Sequence, residues 1–292
     1  MTPTVAPVAD GKKDWSMSHY PLRVAAATLA TLLFASCSRG PAVATPEPSS
    51  ATTASVRVTP RFATGADVVE AMRARYGGKW YRTLTFRQKT SRLLPNGTWK
   101  VETWYEAMKL PGRLRIDFDP VSAGNGVLYA RDSQFVATNG RVIQSAPGIN
   151  DLLLLGFDIY ENSSARTVAL LRRQGIDLTR VHETTFEGRS MVVVGALRGD
   201  LRRKQAWIDG ERLYLVRLVE PTRSDSSKVQ DIRFVNYERR DGGWIAPRVE
   251  IYNDGNLVFY EDYEDVKTNV PLDESIFDPT PWRNPKHWMG GR

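Results

Sequence analysis

Sulfur and imidazole are scarce in this chain. Its 292 residues include one cysteine, Cys37, and three histidines, His19, His182 and His287. A single thiol excludes an intramolecular disulfide and a cysteine-built metal cage. A three-histidine metal site would need every imidazole, and His19 lies in a segment read below as removed. Metallohydrolase and thiol chemistry are therefore disfavoured. An excess of one charge is lacking too. Lys+Arg number 40 against 33 Asp+Glu, a net +7 spread along the chain, too weak and too even to argue for nucleic acid. Ser190 stands in Glu187-Gly-Arg-Ser-Met, which is not a nucleophile elbow. No enzyme activity and no cofactor are expected.

A bilayer-spanning apolar run is also missing from the N-terminus. Val24–Ala35 (VAAATLATLLFA) is 12 residues long, whereas a spanning helix needs about 20. Behind Arg23 it reads as the core of a secretory signal, giving a signal peptide over residues 1–36 with Met17 as an alternative start. The run ends in Phe34-Ala35-Ser36-Cys37, which resembles the bacterial lipobox, with Phe34 where Leu is usual. This resemblance implies that Cys37 is acylated and holds the protein on a membrane, each buried methylene contributing about 0.8 kcal/mol. Ser38, not Asp, follows the cysteine, which implies sorting to the outer membrane, facing the periplasm. Residues 37–60 are rich in Pro, Ala, Ser and Thr without apolar periodicity and read as a tether.

The rest is mainly β. Thr64 with Asp67 forms a capping-box pattern. Val68, Val69, Met72 and Tyr76 then recur at helical spacing until Gly77-Gly78. From Lys79 the period becomes two. Leu114, Ile116 and Phe118 alternate with Arg113, Arg115 and Asp117, and turn pairs such as Asn96-Gly97, Asn139-Gly140 and Asp254-Gly255 punctuate the chain. A second helix is expected over about 165–174. The pattern predicts about eleven antiparallel strands in one strongly curved half-barrel, with two or three helices as lid or plug. The half-barrel domain is placed at 61–280 and a C-terminal tail at 281–292.

Three short segments, in order, resemble the LolA-like and LolB-like lipoprotein-carrier superfamily. They are Phe86-Arg87-Gln88-Lys89 on the first strand, Lys109-Leu110-Pro111 before an apolar strand, and Glu274-Ser-Ile-Phe277-Asp-Pro279 at the end. The likeness covers about residues 62–280. It implies an unclosed barrel with a helical lid over an apolar cavity that takes acyl chains without chemistry or cofactor. Two departures stand out. Leu110 occupies the place of an arginine that in the carrier helps hold the lid, and a lipobox is found in the receptor branch, not in the soluble carrier.

The expected cavity lining is Phe86, Trp104, Leu114, Ile116, Phe118, Leu128 and Phe135. Leu152, Leu153, Leu154 and Leu155 with Phe157 are expected to form a lid or a membrane-touching segment, because four consecutive leucines cannot share one side of a helix. Arg202-Arg203-Lys204 reads as a solvated loop, with contact to lipid phosphates as the alternative, and Glu261–Asp265 as an edge strand guarded by charge. The expected partners are lipid or acylated cargo and a membrane reached through Cys37. The alternative is an envelope scaffold or stress sensor that uses the same fold to bind a protein.

Overall fold

The structure, a computed structural model, describes residues 61–222, 225–283 and 287–288. The signal segment, Cys37 and the tether lie outside the described residues. The chain opens with α1 (Gly65–Tyr76). Thr64 Oγ1 accepts the Asp67 N–H at 3.2 Å, and Asp67 Oδ2 accepts the Thr64 N–H at 2.8 Å, so the predicted capping box satisfies donors at the helix start. A first antiparallel meander follows: β1 (Thr83–Leu93), β2 (Trp99–Lys109), β3 (Arg113–Phe118), β4 (Gly126–Ala130), β5 (Ser133–Thr138) and β6 (Arg141–Pro147). Two helices come next, α2 (Asp151–Gly156) and α3 (Ser164–Arg173). The second meander comprises β7 (Val181–Phe186), β8 (Arg189–Val194), β9 (Gln205–Asp209), β10 (Leu215–Pro221) and β11 (Val229–Val235), then a small hairpin of β12 (Glu238–Arg240) with β13 (Gly243–Ile245), then β14 (Arg248–Asn253) and β15 (Asn256–Thr268).

Thirteen strands form one curved sheet in the order β6-β5-β4-β3-β2-β1-β15-β14-β11-β10-β9-β8-β7. The last strand slots between β14 and β1 and joins the two meanders. Among the described residues no ladder links β6 to β7, so the sheet is open. The expected class is therefore found, but with 15 strands, not about eleven. The difference has local causes. β6 is exposed along most of its length, so its sequence carries no buried alternation. Pro247 separates β13 from β14, and Asn236, at φ 61°, ends β11 before β12. Glu261–Asp265 is not an edge: β15 pairs on both sides, and Glu261 is 4% exposed.

Register decides which side chains meet the helices. Leu84, Met108, Leu114 and Tyr129 lie in one cross-strand row on the concave face. The next row, Thr85, Ala107, Arg115, Leu128 and Phe135, faces the other way. That convex side is covered by the C-terminal segment, whose Ile276, Phe277 and Trp282 pack with Ala107 and Leu128. Trp282, in the segment expected to be a C-terminal tail, is 1% exposed.

Candidate functional site

The concave face is a continuous apolar surface that α1, α2 and α3 cover. Of the seven expected lining residues and the five of the leucine segment, ten fall in or against this one cluster: Phe86, Trp104, Leu114, Ile116, Leu153, Leu154, Leu155 and Phe157 within it, Phe118 and Leu152 packed on it. Leu128 and Phe135 do not join them. They belong to the convex cluster under the C-terminal segment, because β4 and β5 carry apolar side chains on both faces and only register assigns the side. The leucine segment forms α2. It starts where Asn150 Oδ1 accepts the N–H groups of Leu152 and Leu153 at 2.9 and 3.0 Å. Leu153, Leu154 and Leu155 are buried and Leu152 is half-buried, so this segment lies within the protein and is not a membrane-touching protrusion. Toward the β1–β2 end, rings fill the concavity: Trp104 lies 5.0 Å from Phe118, and Phe86 stacks on Tyr263 at 4.1 Å.

Two carboxyls interrupt this surface. Glu106 pairs across from Phe86, and Glu261 across from Thr90. Both are nearly inaccessible. Burial pushes both above the usual carboxylate range, and the charge of Glu261 raises Glu106 further. Tyr263 Oη donates to Glu261 Oε2 at 3.0 Å. Glu106 Oε1 and Gln88 Oε1 have no partner among the described residues. Alternation could have flagged Glu106, which shares a strand face with Trp104 and Met108.

A half-open cleft of about 560 Å³ lies between the helices and the β3–β6 rim, within the range of small-ligand sites. Leu153, Leu170 and Tyr129 belong both to its wall and to the interior cluster. Arg113, Arg131, Asp132 and Arg166 stand around it. Sequence reading missed this ring because its members come from turns and helix starts far apart in the chain. Polar ties also cross here from helices to sheet. Arg166 donates to both oxygens of Asp132 at 2.7 and 2.9 Å. Asp158, in the single turn after α2, accepts the Gly112 N–H at 2.9 Å. Gly112 follows Leu110-Pro111, so this bond to the Asp158 carboxyl ties the turn after α2 to the step where Leu110 stands in the place of the carrier's arginine. At the other end of α2, Asp151 and Glu220 hold Lys204 at 2.5 and 3.0 Å. Although burial works against its charge, these carboxylates raise the Lys204 pKa.

Burial lifts the Asp158 carboxyl to about 7 from 3.8, the Gly112 N–H only partly opposing this. A raised folded pKa means that the folded state holds the proton more tightly. This group's contribution is therefore greatest below about pH 4 and is lost as pH rises toward 7. Asp158→Asn, which keeps the acceptor for Gly112, is expected to change stability little at pH 4 and to stabilise by about 2–4 kcal/mol at pH 8. Urea unfolding of both proteins across that range checks this; equal curves at both pH values would refute it.

No family model and no curated protein matches the sequence. Solved structures do. A DUF1329 family protein from Desulfovibrio piger superposes with TM-score 0.50 at 16% identity, over 73% of this chain and 95% of that one. A putative outer membrane lipoprotein-sorting protein domain from Vibrio parahaemolyticus gives TM-score 0.52 at 13% identity, over 75% and 98%. A LolA superfamily protein from Nitrosomonas europaea gives 0.46 at 13% identity, over 73% and 97%. At identities this low the likeness is one of fold: this chain shares the fold of the DUF1329 family protein and of the lipoprotein-sorting domain.

Proposed function

We propose that this protein is a non-enzymatic envelope lipoprotein, anchored through acylated Cys37 at the outer membrane, that binds or transfers a lipid or acylated cargo on the concave face of its half-barrel. One observation supports the reading: the helix-covered concave face is lined by apolar side chains, and three of them, Leu153, Leu170 and Tyr129, also form part of the cleft wall. An acyl chain would gain about 25 cal/mol for each Å² of apolar surface withdrawn from water. The interior side chains are packed by α1–α3, so a chain must replace the helices' contacts as the helices tilt away. Net affinity is then the difference between two burials, and such a balance suits a carrier that must also release. The fold resemblance to a lipoprotein-sorting domain supports this use.

Purifying the full chain from its envelope and analysing the organic extract tests the reading. About one lipid per protein is expected, and Cys37→Ala is expected to be released from membranes by a high-salt wash while it keeps its cargo. An extract empty of lipid would refute the binding reading. Membrane retention of Cys37→Ala through high salt would refute the anchor.

A further inference from the structure

The β8–β9 connection, residues 195–204, carries two leucines that the fold leaves in water. Leu197 is 60% exposed and Leu201 38%. The loop is nonetheless held in shape. Gln205, 1% exposed, donates its side-chain amide to the carbonyls of Asp200 and Arg203 at 2.6 and 3.0 Å. The Asp200 N–H returns to the Leu197 carbonyl at 3.1 Å, and Asp200 Oδ1 accepts the Arg202 N–H at 2.9 Å. Gly199 turns at φ 83°, a backbone state that side chains resist. A buried amide devoted to two carbonyls of a surface loop fixes how that loop presents its tip.

The surroundings are basic. Arg198, Arg202 and Arg203 are exposed, and Asp200 is the only acid in the connection. Arg198 donates to the Glu183 carbonyl on β7. The Arg61 N–H donates to Glu183 Oε1 at 3.0 Å, so the first described residue lies beside this loop. We infer that the 197–203 loop docks on an anionic lipid surface, seating Leu197 and Leu201 among the lipids while its arginines meet the headgroups. Two leucines on a convex tip cannot supply the roughly 1,000 Å² that a stable protein interface needs. A bilayer requires only a few apolar side chains backed by positive charge. Lys204 ends the same loop and reaches Asp151 at the start of α2, so the docking element abuts the helical lid.

The test uses the full chain with Cys37→Ala, so that acylation plays no part. Its sedimentation is measured with vesicles of phosphatidylcholine alone and with one quarter phosphatidylglycerol. Binding is expected with the anionic vesicles and is expected to weaken with salt. Arg202→Gln and Arg203→Gln should each reduce it about fivefold, and Leu197→Ser with Leu201→Ser at least about tenfold, with melting temperatures unchanged. Equal binding to both vesicle types, a leucine variant as tight as its parent, or no vesicle binding would overturn the inference, as would capture of a protein partner through these leucines in place of lipid. Occupancy of the concave interior does not enter the measurement, so either reading can fail alone.

Discussion

Arg115→Ala is expected to cost about 3–5 kcal/mol of folding stability, among the largest losses a single change here can produce. Arg115 is 1% exposed on the convex face, where its guanidinium lies against both oxygens of Asp117 at 2.7 and 2.9 Å. It also donates to the carbonyls of Ile276 and Trp282 at 2.9 and 2.6 Å, and stacks over the Trp282 ring at 4.7 Å. The alanine variant leaves a buried carboxylate facing only His287, at 2.9 Å, and strands two carbonyls. It therefore attacks the seal of the C-terminal segment from both sides. Burial alone would raise the Asp117 pKa, but hydrogen bonds from His287 and Arg115, with their charges, hold it below its ordinary 3.8. This pair's stability is thus present above about pH 4 and lost as pH falls through the lowered value. Arg115→Met with Asp117→Leu should recover part of the loss, since no charge is then left buried, though the two carbonyls stay unpaired. Urea unfolding of the parent and of both variants measures the two changes; a loss below about 1 kcal/mol for Arg115→Ala would show that the network contributes little.

Much of this architecture is legible in the amino-acid order. Thr64 with Asp67 marks the first helix, and Asn96-Gly97 and Asp254-Gly255 mark hairpins that form where expected. Leu114, Ile116 and Phe118 report their common face because their strand alternates. Leu128 and Phe135 do not, because Val127 and Val136 on the same strands are also buried, and only pairing with Arg115 assigns the side. Charge misled at Glu261: acidic neighbours suggest an edge, but β15 is central, and the carboxyl is sheltered beside Tyr263. β6 escaped because exposed Val142 and Ile143 stand side by side without alternation. The cleft was hidden for another reason. Asp132 and Arg166, or Gly112 and Asp158, meet only after the helices fold back across the sheet, and nothing near them in sequence announces it.

The second large effect concerns movement of that helical layer. Leu154, Ile159 and Tyr160 are 0% exposed, and under the proposed reading they occupy the space an acyl chain would take. Cargo binding therefore requires a state with the helices displaced, and affinity scales with the population of that state. Asp132 on the β4–β5 turn and Arg166 on α3 are 37% and 50% exposed at their side chains, so cysteines there can be joined by a short bismaleimide in a Cys37→Ala background. Removing the Arg166–Asp132 ion pair loosens the layer, so the unlinked double variant should take up a fluorescent fatty acid at least as well as its parent. The joined protein should bind at least about tenfold more weakly than the same variant capped with N-ethylmaleimide. Equal uptake by joined and capped protein would contradict a cargo site beneath the helices.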